Sequence, residues 1–312
     1  MGIRVIFILL ISLILFSKNA FAERLCDIFT WMKCPENVSR SYSRSSSASS
    51  PSSGGSSALN PASLSMLKGF GFETFIYDHL EIGIATGNGK VGASVSPQNS
   101  EETFFGNVAI ENIGDYKARM VNRKSYRSPK FNLAMGIKLA GKRGSKKKTP
   151  FSLNLGVLGK YNQTTDRIKG GLGITAQGGI FSIGISSFYD DYIDEYENKK
   201  KNYRVASYTA GVKWGGFIFD YNYTESFSKR RSRIHLISGA MFIHKFIFSG
   251  GRRFESSYRP KYRYKERRFM DEKDRKDSFY GVQYSFNGHF LIGAYFNYYL
   301  VRDLTLGLTF LL

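Results

Sequence analysis

The sequence predicts an all-β protein: a transmembrane antiparallel β-barrel of about fourteen strands, with twelve as the alternative count and an N-terminal plug or tether. Three observations carry this. An export signal opens the chain, apolar/polar alternation recurs from about Phe70 to the end, and tight Gly-rich turns alternate with long polar connections.

The export signal is read first. Arg4 supplies a positive start, Val5–Phe16 is an unbroken apolar run, and Ala20-Phe21-Ala22 is a small-x-small cleavage site. The apolar run falls short of the roughly 20 residues that a spanning helix needs. Residues 1–22 therefore read as a cleaved signal peptide, with the mature chain beginning at Glu23. Leu25 stands where a lipoprotein signal has a small residue, so Cys26 is not read as a lipid attachment site. Cys26 and Cys34 are expected to close a disulfide loop around Trp31 in an oxidising compartment. Residues 41–57 form a Ser/Gly tract with almost no apolar content, a linker or a loosely packed plug. The expected divisions are thus 1–22 signal peptide, 23–66 cysteine loop, linker and candidate plug, and 67–312 barrel.

Composition agrees with strands. The chain has 20 Tyr, 26 Phe, 32 Gly and only 7 Pro. Its mean hydropathy of −0.28 suits a barrel, in which only alternate strand residues meet lipid. No later stretch could form a spanning helix, and only a closed barrel otherwise satisfies its backbone in a bilayer.

The alternation is the main observation. In 131–139, Phe131, Leu133, Met135, Ile137 and Leu139 oppose Asn132, Ala134, Gly136 and Lys138. The same pattern runs through 151–161, 206–214, 280–286 and 303–312. Period two sends the two sets to opposite faces. A soluble β-sandwich with one wet face would share the pattern. Strand lengths of about 9–12 residues and aromatics near strand ends favour the membrane barrel. The expected strands are 69–85, 88–96, 103–112, 130–140, 150–161, 167–176, 179–189, 203–213, 215–225, 233–248, 252–265, 276–286, 289–298 and 302–311, with a break in the first at Asp78-His79 as the alternative.

With the last strand descending, tight turns at 177–179, 214–216, 249–251 and 287–288 fall on the periplasmic side. The polar segments 113–129, 190–202, 226–232 and 266–275 fall outside, as in outer-membrane barrels. Segment 252–265 decides the count. Its Phe254, Tyr258, Tyr262 and Tyr264 alternate with basic residues, which reads as a strand, though Pro260 would interrupt the ladder.

Candidate chemistry is sparse. Gly87-x-Gly89-x-x-Gly92 matches a dinucleotide fingerprint, but no helix follows, and Asn88-Gly89 reads as a hairpin turn. His79, His235, His244 and His289 lie on different strands without metal-ligand spacing, and the chain has no GxSxG elbow. No enzyme activity, metal or cofactor is expected. The inward basic residues stand out: Lys138, Lys160, Lys169 and Lys213, then Arg253, Arg259, Lys261 and Arg263. They read either as a solvated lumen or as an anion-attracting interior. The net charge of +20 points, in an exported protein, to lipopolysaccharide phosphates rather than nucleic acid. Basic segments 117–130 and 229–233 would clamp such phosphates or simply keep loops soluble. The expected partners are outer-membrane lipid and lipopolysaccharide, the barrel-assembly machinery and a small ligand.

The stretch Ala58-Leu-Asn60-Pro61-Ala62-Ser-Leu-Ser-Met66-Leu67, followed at once by a strand from Phe70 to Tyr77, resembles the start of the FadL-type outer-membrane transporters of long-chain fatty acids and other hydrophobic compounds. Those proteins carry an Asn-Pro-Ala motif between an N-terminal plug and the first of fourteen strands. The resemblance implies passive uptake of a hydrophobic or amphipathic ligand, which leaves sideways or downward when the plug shifts. Asn60, Pro61 and Ala62 would be the hinge between plug and wall. This chain is shorter than typical members, and its Ser-rich tract differs from a packed plug. The alternative reading is a non-transport barrel, an anchor or surface protein that binds lipopolysaccharide or a partner.

Overall fold

The computed structural model describes residues 60–76, 80–98, 130–142, 151–163, 165–194, 199–227, 232–257, 275–286, 289–297 and 303–311. They form a short 3-10 segment, Pro61–Met66, and fourteen strands. The strands are β1 (Lys68–Ile76), β2 (Leu80–Asn88), β3 (Val91–Gln98), β4 (Lys130–Lys142), β5 (Phe151–Asn162), β6 (Arg167–Gly178), β7 (Phe181–Asp194), β8 (Lys199–Trp214), β9 (Phe217–Ser226), β10 (Ser232–Ile243), β11 (Phe246–Ser257), β12 (Arg275–Ser285), β13 (Phe290–Asn297) and β14 (Asp303–Leu311). Each strand pairs antiparallel with its chain neighbours. β1 also pairs with β14, from Gly71 opposite Leu311 to Ile76 opposite Leu306, so the sheet closes on itself.

The alternation in the sequence becomes two faces of this wall, and they are inverted relative to a soluble protein. Along β5, Ser152, Asn154, Gly156, Leu158, Lys160 and Asn162 are buried, while Phe151 and Val157 are exposed. Around the ring the buried positions are largely Ser, Thr and Asn, and Thr175, Ser186, Asn222 and Thr309 are at most 3% exposed. The outer face presents Leu133, Leu172, Phe181 and Ile183, each about 60% exposed. Water would penalise that surface, and a soluble protein places these types inside. A β-sandwich is thereby ruled out, and lipid is the solvent that fits the wall.

Aromatic rings mark both rims. At the tight-turn end, Phe246, Tyr284, Phe286 and Phe290 follow one another at centroid spacings of 5.1, 4.9 and 5.6 Å. Towards the other end, Tyr208 stacks on Tyr223 at 6.0 Å, and the Tyr221 hydroxyl lies 2.7 Å from His235 Nδ1. Such rings, apolar in body and polar at the tip, suit the level where lipid tails meet headgroups.

Every even-to-odd connection lies at one end of the barrel. The tight turns at Gly89–Lys90, Gly179–Ile180, Gly215–Gly216 and His244–Lys245 are there. The connections 99–129 and 258–274 join odd to even strands at the other end. By the outer-membrane rule the tight-turn end faces the periplasm.

Several boundaries differ from the sequence expectation. Residues 69–85 are two strands, β1 and β2, and β3 begins at Val91 after a turn that follows Asn88. The expected strand 103–112 lies outside the described residues, and β3 pairs directly with β4, so the wall closes without it. The two departures compensate, and the number of described strands remains fourteen. The turn expected at Ser249-Gly250-Gly251 is instead at His244–Lys245, and Gly250 and Gly251 lie within β11 opposite Gly239 and Ser238. The cause is local. His244 itself adopts the left-handed conformation, with φ of 53°, which hairpin turns most often give to Gly or Asn. β11 therefore begins at Phe246, six residues before the expected strand 252–265, and it is described to Ser257; residues 258–265 of that expectation lie outside the described residues.

The inverted faces predict an inverted response to charge. Met135→Arg, on the lipid face, is expected to weaken folding into phospholipid vesicles by about 2–4 kcal/mol. Ser152→Arg, on the inner face beside a cavity, should cost much less. Urea titration of vesicle-folded protein measures both. A larger loss at Ser152 than at Met135 would contradict the assignment of faces.

Candidate functional site, a wedge on a glycine belt

The segment from Asn60 to Leu67 lies inside the barrel against β2, β3, β4, β5 and β6. Its local structure follows from its residues. Asn60 precedes the 3-10 turn in an extended conformation, and its Oδ1 accepts a 3.1 Å hydrogen bond from the Ala62 amide. Pro61 occupies the first position of the turn, where its missing N–H is not needed. The Ser63 and Ser65 hydroxyls donate back to the Asn60 and Ala62 carbonyls, at 2.9 Å each. These bonds satisfy polar backbone in a buried place. Two bonds tie the wedge to the wall: Asn60 Nδ2 donates to the Ile174 carbonyl at 3.4 Å, and the Gly89 amide donates to the Leu67 carbonyl at 2.8 Å.

The wall makes room for the wedge with glycine. Six glycines on six consecutive strands stand side by side: Gly69 opposite Gly87, then Gly92, Gly136, Gly156 and Gly173. A Cβ on Gly156 would collide with the Ala62 amide and the Pro61 carbonyl carbon. One on Gly92 would collide with the Leu64 carbonyl, and one on Gly173 with Asn60 Oδ1. One on Gly136 would lie 2.7 Å from the Pro61 carbonyl oxygen. Backbone thus packs on backbone, and any other residue at Gly92, Gly136, Gly156 or Gly173 would hold the wedge away.

The wedge divides the described lumen near these strands into two chemically different zones. Towards the long-loop end, Leu64 and Leu67 of the wedge join Ala85, Ala134, Leu158, Phe188 and Val205 of the wall in an apolar patch. Lys160 borders it: 1% exposed, with Nζ 4.2 Å from the centre of the Phe188 ring. Cation–π attraction offsets part of the cost of burying that ammonium. Towards the tight-turn end, Lys138 and Lys213 line a cavity of about 310 Å³ whose roof includes Ser65 and Met66 of the wedge. A β-bulge between Lys138 and Ala140 lets Lys138 stay opposite inward Asn154 while Leu139 faces out.

The structure therefore brings Asn60, Pro61 and Ala62 together as the start of the wedge. It places Lys160 above the belt and Lys138 and Lys213 below it, with Lys169 opposite Lys160. Arg253 sits in β11 opposite Leu236. Arg259, Lys261, Arg263, Cys26 and Cys34 lie outside the described residues. The Gly87-x-Gly89-x-x-Gly92 run spans the β2–β3 hairpin. There Asn88 Oδ1 accepts from the amides of Lys90 and Val91, and Gly89 has φ of 76°. Sequence reasoning missed the belt and the apolar patch. Neither left a linear signal, because their members are drawn from strands far apart in the chain.

No protein-family model matches this sequence, and no curated protein matches it. Among solved structures, the chain is similar to the toluene transporter TodX of Pseudomonas putida, with 12% identity, a TM-score of 0.44 and coverage of 88% of this chain and 96% of that one. It is also similar to the CymD monoaromatic hydrocarbon channel, with 10% identity, a TM-score of 0.36 and coverage of 82% and 91%. A third is the outer membrane protein Omp33 of Acinetobacter baumannii, with 10% identity, a TM-score of 0.37 and coverage of 80% and 100%. The barrel assignment rests on the closed strand register of this chain. Its fourteen described strands are the number that the FadL-type resemblance implies.

The belt predicts a sharp positional effect. Gly156→Ala is expected to displace the wedge at a cost of about 1–3 kcal/mol and to raise conductance in planar bilayers. Gly159→Ala, where an added Cβ meets nothing closer than 3.9 Å, should leave conductance unchanged. Equal conductance of the two variants would contradict the clamping role.

Proposed function

We propose that this protein is an outer-membrane channel for passive uptake of hydrophobic or amphipathic small molecules, fatty acids among them. The observation that carries the reading is the apolar patch on the long-loop side of the wedge, with a lysine at its edge, in a wall whose buried positions are largely Ser, Thr and Asn. A barrel that served only as an anchor would need no such patch above a wedge. The resemblance of the Asn60–Ala62 region to FadL-type transporters supports the same reading.

In this proposal the ligand enters from the long-loop end and rests its apolar body on Leu158, Phe188 and Val205. Burial of apolar surface drives the binding, at about 25 cal/mol per Å². A carboxylate or other polar head then lies near Lys160, whose ammonium can donate a charge-assisted hydrogen bond to it. Passage towards the tight-turn end requires the wedge to leave the glycine belt. A fourteen-strand bore is too wide for wall side chains alone to fill, so the wedge sets the permeability. Uptake is passive, since the described residues supply a path and a gate.

Uptake of a radiolabelled long-chain fatty acid or aromatic hydrocarbon by a deletion strain, with and without the restored gene, tests this. Restoration should raise uptake, and Phe188→Asn should weaken binding of the ligand to purified protein about tenfold. Equal uptake in both strains would favour the anchor reading.

A further inference from the structure

The outside of the barrel carries a second surface of different chemistry. On β8, β10 and β11, Arg204, Arg233 and Arg252 are exposed, and each shares its side of the strand with an outward ring: Tyr208, His235 and Phe254. With β9 these rings stand abreast, Tyr208 opposite Tyr223, Tyr223 opposite His235 and His235 opposite Phe254. An arginine on the lipid face is costly in hydrocarbon and tolerated at headgroup level, so three of them mark where this wall meets headgroups.

Their contacts leave positive charge unmatched. Arg233 Nε lies 3.4 Å from Glu225 Oε1, and the Tyr223 hydroxyl donates to the other carboxylate oxygen at 3.2 Å. Arg204 Nε donates to Ser187 Oγ at 2.8 Å, and its guanidinium lies 5.8 Å from the centre of the Phe227 ring. The Arg252 guanidinium lies 5.1 Å from the centre of the Phe254 ring. A ring orders a guanidinium without neutralising it. Among the described lipid-facing residues of β8–β11, three arginines are thus set against one acid, Glu225.

The spacing suits a headgroup with more than one phosphate. Ala206, Glu225 and Arg233 share a row, so Arg204 lies two strands and two residues from Arg233, about 12 Å along the wall. Arg252 lies one strand and four residues from Arg233, about 14 Å. Guanidinium groups fork onto phosphate oxygens, and the rings between them offer apolar faces to acyl chains. A free anion would use the first feature and leave the second idle.

We infer that the outer face of β8–β11 docks a bis-phosphorylated glycolipid of the outer leaflet. Its headgroup lies over Arg233, with Arg204 and Arg252 as the phosphate ligands on either side, and its acyl chains run along Tyr208, Tyr223 and His235. Glu225 restrains Arg233 and tempers the affinity. The surface is outside the barrel and does not depend on what crosses the lumen.

The test uses the full mature chain, refolded from urea into detergent so that no cellular lipid is carried over. It is titrated with hexa-acylated, bis-phosphorylated lipid A, and bound lipid is counted by native mass spectrometry. Saturable binding is expected, with the same lipid stripped of its phosphates at least about tenfold weaker. R204Q/R252Q should lose about tenfold in affinity. Lys90→Gln, an exposed residue at the tight-turn end, removes a like charge and should change nothing. Glu225→Gln, which releases Arg233, should bind about threefold tighter and gives an independent reading if the double variant fails to fold. Any of four results would overturn the inference: no saturable binding by the folded chain, equal binding of the stripped lipid, equal losses in Lys90→Gln and R204Q/R252Q, or no gain in Glu225→Gln.

Discussion

The closing pair of β1 with β14 is the constraint on which everything else rests. A bilayer offers no hydrogen-bond partner to an open strand edge, so the first and last strands must satisfy one another. That requirement sets an even number of antiparallel strands if both ends of the wall are to lie at one rim. It also separates the connections into two classes, because each tight turn returns the chain from the same side. Inversion of the faces is a consequence. Once the ring is closed, lipid is the outer solvent, and the buried inward positions are largely Ser, Thr and Asn, with apolar clusters around Phe188 and Phe242.

Closure creates a difficulty that a packed core does not have. The bore of such a ring is too wide to fill from the wall, and the polar groups within must find partners. The wall answers partly by itself. On β8 and β9 the Thr224 hydroxyl donates to Asn222 Oδ1 at 2.7 Å, and Asn222 donates to Ser207 at 2.9 Å. On β1–β6 the answer is different: side chains are removed altogether, and a turn of backbone is laid in their place. The wedge therefore depends on the belt, and the belt depends on six strands keeping one register. A shift of one residue in any pairing would put a side chain where Asn60 or Ala62 now sits. Coupling of this kind makes the wedge a discrete element, seated or not, rather than a filler that adapts continuously.

The placement of charge follows from the same division. Lys160 is held in a dry region by the face of Phe188, whereas Lys138 and Lys213 border a cavity. As a sequence they form one series of inward basic residues, yet they belong to two environments. The first borders an apolar patch beside an aromatic ring; the second lines a cavity at the tight-turn end. The wedge is the boundary between these environments.

Much of this was legible in the linear chain. Alternation at Phe131–Leu139 or Tyr280–Phe286 reports which side chains meet lipid, because a strand turns its residues out and in with period two whatever its neighbours are. The barrel class and the inward sense of Lys138, Lys160 and Lys213 follow from that alone. Turns were legible only where Gly marked them. At His244 a non-glycine residue takes the left-handed conformation, and the turn escaped notice while Gly250 and Gly251 suggested a false one. What the tertiary structure alone decided is the belt and its wedge. Gly69, Gly87, Gly92, Gly136, Gly156 and Gly173 become neighbours only through cross-strand register, which no local rule encodes. Asn60, Pro61 and Ala62 were recognisable as a motif, but the reason for their shape lies in glycines up to about a hundred residues away.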